Sequence, residues 1–320
     1  MTPPGWASLP LARRARARSL AALQALGRAA PLGALAALEE HPLARGGIER
    51  ARRALAPLRL SQLPPASIDP AELPRAKLER PHGPAPRVSV LVPTRGAPTL
   101  AQCLAALDAH TGERALEVIV VADGVPLAVD RPFARTVRLA SRRGFAGAAN
   151  AGARAARGEV LVFLNDDAVV APGWLEPLLA ALALPRAGLA APATNASGDA
   201  ATAPARYRDL AGLLEHAAGR RGEPRDVPKL SLLCAAVPRA LFEAVGGLDE
   251  GYGLGLFEDD ELCAALRRRN RRVLLAPSAW VHHHESATFG RMSAAERIAR
   301  FEINRHRFER RWGVRWRAPR

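Results

Sequence analysis

From residue 88 onward, short apolar runs alternate with longer stretches of helical spacing. The runs at 88–92 (VSVLV), 117–121 (EVIVV), 136–139 (TVRL) and 160–164 (VLVFL) are mostly apolar and rich in β-branched residues. That pattern suits strands buried on both faces. Between them, 99–109 and 145–156 carry apolar positions at helical spacing, so the order is β-α-β-β-α-β. Such alternation predicts an α/β domain with a mostly parallel central sheet covered by helices. Upstream, residues 1–60 are rich in Ala, Leu and Arg with helical spacing and read as an N-terminal helical extension. Residues 61–86 hold seven prolines, which marks a linker or extended arm. The expected organisation is therefore helical extension 1–60, linker 61–86, α/β domain 87–290 and a C-terminal helical segment 291–320.

In open parallel sheets, ligands bind at the carboxyl ends of the strands. The first strand exits into Pro93-Thr94-Arg95-Gly96, the second into Ala122-Asp123-Gly124, and the VLVFL strand into Asn165-Asp166-Asp167. Any one of these exits is explained equally well by turn formation. Three on one edge favour a site. Carboxylates at the end of a buried strand are rigid oxygen ligands, which suit Mg²⁺ or Mn²⁺ shared with substrate phosphates. The small residues from Gly144 to Asn150 permit either close ligand approach or tight helix packing, and packing is the commoner cause.

Farther on, Glu258-Asp259-Asp260-Glu261 opens a helix, where acids are favoured by the helix dipole. Asp259, Leu262, Cys263 and Leu266 also fall on one stripe, which predicts an inward-facing Asp259 flanked by outward-facing Glu258 and Asp260. A partly buried carboxylate of raised pKa is what a general base for an alcohol requires. The run His282-His283-His284 offers an imidazole to complete a metal shell.

Composition narrows the classes. Hydrophobic residues make up 48% and charged residues 24%, which is ordinary for a globular chain. The net charge of +15 would point to nucleic acid, but the arginines are scattered and no nucleic-acid motif accompanies them. Nucleic acid is thus not an expected partner. Only Lys77 and Lys229 are lysine. Cys103, Cys234 and Cys263 lack metal-ligand spacing and sit among apolar neighbours, as buried thiols do. The first twenty residues lack a signal-peptide core and no window is apolar enough to span a bilayer, so the expected compartment is the cytoplasm, with peripheral contact at the inner face of a membrane left open.

Taken in order over residues 88–313, the segments VSVLVPTRG, EVIVVADG, GFAGAANAGARAARGEVLVFLNDD, VGGLDEGYGLGLFEDDELC and WVHHHESATFG resemble family 2 glycosyltransferases. The likeness is to the rhamnosyltransferase-like type of bacterial polysaccharide and glycoprotein assembly. Residues 304–312 also look like that family's C-terminal helix. The resemblance implies a GT-A fold and an inverting, single-displacement transfer from a nucleotide diphosphate sugar to a hydroxyl of a glycan, lipid-linked glycan or protein. It implies a nucleotide side made by Thr94, Arg95, Asp123, Gly144, Asn150 and Asp166. It further implies a divalent metal (Mn²⁺ or Mg²⁺) on Asp167 and His283, and Asp259 as catalytic base. Asn165, Glu258, Asp260 and His282 are the secondary candidates. Two positions depart from the family's pattern: Ala122, where an acid is frequent, and Asn165, at the place of the first metal-motif acid. These departures are what a non-catalytic nucleotide-sugar or glycan-binding module of the same fold would show, and that reading stands beside the enzymatic one.

Overall fold

A computed structural model describes residues 87–111, 116–127, 129, 131–284 and 294–317. The expected N-terminal helical extension and proline-rich linker lie outside the described residues. The described chain divides into two compact units. Of the described residues, the larger holds those from 87 to 284 and those from 308 onward, while 294–307 belong to the other.

The larger unit is built on one sheet. Its strands are β1 (Val88–Thr94), β2 (Leu116–Asp123), β3 (Ala134–Leu139), β4 (Val160–Leu164), β5 (Ala168–Val170), β6 (Ala187–Thr194), β7 (Arg225–Asp226), β8 (Cys234–Pro238) and β9 (Arg272–His283). The helices are α1 (Leu100–His110), α2 (Gly144–Ala155), α3 (Leu175–Leu182), α4 (Leu210–Ala218), α5 (Arg239–Ala244), α6 (Glu258–Arg268) and α7 (Ala294–Trp312), the last running across the unit boundary. Strand order is β3-β2-β1-β4-β8-β6-β9-β5, with β7 on β9. The half anticipated from the apolar runs, β3-β2-β1-β4, is parallel throughout. The second half mixes a parallel β6–β9 ladder with antiparallel β4–β8, β6–β8, β5–β9 and β7–β9 pairs. In this half β7 is two residues long and β6 and β8 are alanine-rich, so they carry little apolar periodicity of their own, while the twelve-residue β9 pairs with β5, β6 and β7.

Each central strand is buried on both faces. Val90, Val92, Val118 and Val120 pack with Leu104 and Leu107 of α1 and Leu178 of α3 on one side. Leu91, Ile119 and Val121 pack with Ala149 of α2, Phe242 of α5 and Leu262 and Leu266 of α6 on the other. Full burial of each such aliphatic side chain contributes ~1.5–3 kcal/mol, so this two-faced core fixes the strand register and the strand ends. Within α2, a Cβ at Gly152 would stand 3.0 Å from Val121 Cγ2, so the small residues let this helix approach the sheet closely. Among the described residues no helix is long and apolar enough to cross a membrane.

Candidate active site

The parallel strands β1, β2 and β4 deliver their carboxyl ends to one edge, where Thr94, Arg95, Asp123, Gly144, Phe145, Asp166 and Leu254 line a single pocket. Thr94 is buried and its hydroxyl donates to Asp166 Oδ2 at 2.5 Å while accepting from the Gly96 amide at 3.0 Å. Burial raises the Asp166 pKa to about 6, against the pull of the Thr94 hydroxyl and with a further push from Asp167. Asp123 accepts two backbone amides, Arg143 N on Oδ1 at 2.6 Å and Gly144 N on Oδ2 at 3.0 Å. It therefore caps α2 from a neighbouring strand, a role that Arg143 at the cap position does not fill itself. Gly144 has φ +76°, and a Cβ there would stand 2.3 Å from the Gly253 carbonyl oxygen. Only glycine allows the 252–257 loop to lie this close to the pocket.

Asn150 departs from the nucleotide-side expectation. Its Nδ2 donates to Leu248 O at 2.9 Å and Glu250 Oε1 at 3.1 Å, and its Oδ1 accepts from Leu248 N at 2.9 Å. All of its polar atoms fasten α2 to the loop before α6, and it does not line the pocket. The helical run gave no sign of this because the partner is 98 residues away.

Behind the pocket, residues 165–168 form a tight turn closed by Ala168 N donating to Asn165 O at 3.1 Å, after which β5 pairs antiparallel with β9. That register sets Ala168 opposite His283, which brings His283 Nε2 to 3.1 Å from Asp167 Oδ1. His283 Nδ1 donates to Ala196 O at 2.8 Å, and Asn195 brackets its backbone, donating to His283 O at 2.9 Å and accepting from His283 N at 2.7 Å. His282, one position earlier, faces the other side of the strand. Its Nδ1 meets the Tyr207 hydroxyl at 2.8 Å, and that hydroxyl also accepts from Trp280 Nε1 at 3.1 Å. Burial, with help from His284 and His283, lowers its pKa to about 3, so the ring is neutral. His282 therefore belongs to a buried aromatic group rather than to the Asp167 side, because strand side chains alternate. Among the described residues, no group of three or more His, Cys, Asp or Glu side chains gathers as a metal cage.

The third cluster opens α6. Leu256 and Phe257 both have positive φ, 74° and 82°, a strained lead-in of the kind kept where a site needs a particular backbone direction. The stripe expectation holds for Leu262, Cys263 and Leu266, which are buried. It fails for the acids: Asp259 is half-buried with 21% of its side chain exposed, whereas Asp260 retains 9% and Glu261 is also buried. The helix start is covered on two sides. The sheet takes the apolar stripe, and the segment after residue 307 covers the acids, with Trp316 Nε1 donating to Asp260 Oδ1 at 2.8 Å and Trp312 Nε1 to Glu261 Oε2 at 2.7 Å. Lys229 closes the group, 2.5 Å from Asp260 Oδ2 and 3.8 Å from Asp259 Oδ2. Burial raises the pKa of Asp259, opposed by Lys229 and reinforced by Asp260. Burial and the neighbouring Asp259 raise that of Glu258, whose Oε2 is buried without a hydrogen-bond partner. Lys229, Asn195 and Trp316 gave no motif signal, and Trp312 gave one only as the end of the 304–312 stretch, with no role attached. The one hint was that Lys229 is one of only two lysines in a chain whose other basic side chains are nearly all arginine.

Residues 89–246 match the model described as glycosyl transferase family 2. The matched segment belongs to this family. The chain is 30% identical over 218 residues to the pre-mycofactocin glycosyltransferase of Mycobacterium tuberculosis, covering 63% of itself and 44% of that protein. It is 27% identical over 242 residues to the O-antigen biosynthesis protein RfbC of Myxococcus xanthus, covering 63% of itself and 18% of that protein. Both relatives thus extend well beyond the matched region. Among solved structures, the mannosyltransferase PcManGT from Pyrobaculum calidifontis, in complex with GDP-Man and Mn²⁺, superposes with a TM-score of 0.52 at 24% identity, covering 78% of this chain and 70% of PcManGT. The fold is the GT-A fold of glycosyltransferases. Asp259 and His283 both lie beyond the end of the matched family segment.

Proposed function

We propose that the chain transfers a sugar from a nucleoside diphosphate sugar to a hydroxyl acceptor in one inverting displacement, with Asp259 as general base. The observation that carries this reading is the separation of two acid groups by chemistry. Asp166 and Asp167 sit at the end of a buried strand beside the pocket, while Asp259 stands apart with a raised proton affinity and a nearby lysine. A nucleoside diphosphate in the pocket would meet the Arg95 and Arg142 cations and the small residues Gly144 and Ala148. The acceptor hydroxyl gives its proton to Asp259, and its oxygen bonds to the anomeric carbon as the bond from that carbon to the diphosphate oxygen breaks. No covalent sugar on the protein is needed.

The donor set also fits a hard divalent cation, Mn²⁺ or Mg²⁺. His283 Nδ1 faces a carbonyl, so it must carry the ring proton, which leaves Nε2 facing a carboxylate oxygen of Asp167 across 3.1 Å. Two electron-rich atoms so placed call for a proton or a cation between them. Two protein ligands with the remaining positions left to phosphate oxygens is the usual arrangement for such cations. When bound, the cation stabilises the negative charge of the departing diphosphate.

The test is sugar transfer measured with a panel of nucleotide sugars, alongside calorimetric titration of UDP and GDP with and without Mn²⁺. Asp259→Asn should bind nucleoside diphosphate normally while transfer falls by about 10²–10⁴-fold. Asp167→Ala should lose the Mn²⁺ enhancement of binding. Near wild-type transfer by a folded Asp259→Asn protein would overturn the catalytic reading and favour a binding module. Unchanged metal enhancement in Asp167→Ala would remove the metal assignment.

A further inference from the structure

Lys229 lies in the segment between β7 and β8 and is one of two lysines in the chain. Its ammonium bridges neighbouring acids of α6, at 2.5 Å from Asp260 Oδ2 and 3.8 Å from Asp259 Oδ2. Asp260 is held from a second direction by the Trp316 indole at 2.8 Å on Oδ1, and its own backbone N–H donates to Asp259 Oδ1 at 2.9 Å. Both oxygens of Asp260 are thus engaged within the protein. Asp259 is fixed through one oxygen by a backbone donor and approached on the other by a cation, at an angle of the helix that leaves it the more exposed of the two acids.

We propose that Lys229 and Asp260 are a positioning pair: Asp260 holds the Lys229 ammonium beside Asp259, and the two together orient the Asp259 carboxylate toward the acceptor. This rests on Asp259 being the base. The charged and titratable groups around Asp259 are Lys229 from the β7–β8 segment and Glu258, Asp260 and Cys263 from α6 itself, while Trp316 from the C-terminal segment is uncharged. An opposite charge within 4–6 Å lowers a carboxyl pKa by about 1–3 units, and a like charge raises it. Removal of the cation and removal of the neighbouring anion should therefore act with opposite sign, because burial leaves both interactions weakly screened.

The experiment is the pH dependence of kcat for wild type, Lys229→Met, Lys229→Arg and Asp260→Asn, with donor KM and thermal melting measured on the same proteins. In Lys229→Met the acidic limb should move to higher pH by about one unit or more, with donor KM changed less than kcat. Lys229→Arg should return the limb most of the way. In Asp260→Asn the limb should move to lower pH while the plateau kcat falls, since Lys229 is then left to Asp259 alone. A merely structural role would lower kcat alike at every pH and leave the limb in place, and that result overturns the proposal. If Lys229→Met does not fold, the opposite shift in Asp260→Asn and the profile of Lys229→Arg still decide the matter. Loss of transfer in Asp259→Asn with unmoved limbs in the pair variants would defeat the positioning pair alone. Retained transfer in Asp259→Asn would defeat the base reading itself.

Discussion

At the scale of single residues, Asp123 is both a helix cap and part of the pocket wall. It lines the pocket, yet both of its oxygens are occupied by the Arg143 and Gly144 amides that open α2. Asp123→Ala should therefore weaken donor binding and lower stability by ~1–2 kcal/mol at once, the usual cost of a lost helix cap. For a domain of this size that is a fall of roughly 2–8 °C in melting temperature. Calorimetric donor affinity and a thermal melt on the same sample check this, and an unchanged melting temperature with weakened binding would assign Asp123 to the nucleoside alone. The position of Asp123 was legible because it ends an apolar run that had to be a buried strand. Its partners were not, since Arg143 and Gly144 lie some twenty residues on and belong to another element. The same limit applied to the histidine run. Alternation along β9 separates His283 from His282, but only the β5–β9 register shows which of them faces Asp167.

At the scale of elements, the sequence was most informative where burial is two-sided and least informative where a helix is covered from two directions. The runs that became β1, β2 and β4 needed no long-range knowledge, because continuous apolar character over five or more residues already specifies a central strand. Helix α6 did need it. A single stripe of period 3.6 assigns one buried face, and the indole and ammonium donors that bury Asp260 and Glu261 come from residues 229, 312 and 316. The α2 helix makes the same point through Asn150, whose three hydrogen bonds tie it to the loop that leads into α6. Asn150→Ala leaves the buried Leu248 N–H and C=O without that partner and should cost ~2–4 kcal/mol. Donor affinity of the folded fraction should stay within a few-fold of wild type, since the side chain lies outside the pocket. A melt paired with calorimetry below the transition separates the two effects. A large affinity loss at unchanged stability would restore Asn150 to the nucleotide side.

At the scale of the whole molecule, the family match ends at residue 246, before the proposed base Asp259 and before His283, which faces Asp167. The α6 acid cluster, where the proposed base lies, is thus completed by residues C-terminal to that match, 308–316 among them. There the Phe308 and Trp316 rings lie 5.8 and 5.5 Å from Phe257 at the strained entry to α6. Arg311 Nε stands 2.7 Å from Glu261 Oε1 and its Nη1 3.0 Å from Asp249 Oδ2, so one arginine ties α6 to the loop before it. A chain ending at Arg307 would keep every residue that lines the pocket at the carboxyl ends of β1, β2 and β4. It would lose the indole and guanidinium partners of Asp260 and Glu261, leaving the buried Glu261 carboxylate with the Tyr252 hydroxyl at 2.8 Å. Removing the partner of a buried charge costs ~3–5 kcal/mol, more than the strained Leu256–Phe257 turn can absorb, so the first turn of α6 should lose its order while the sheet persists. The shortened chain should then bind nucleoside diphosphate and fail to transfer sugar, with faster amide exchange confined to 254–263. Trp316→Phe, which keeps the ring against Phe257 and removes only the N–H to Asp260, should fall between the two. Full transfer by the shortened chain would mean that α6 orders itself without its C-terminal cover, and that the carboxylate geometry is set by the sheet and Lys229 alone.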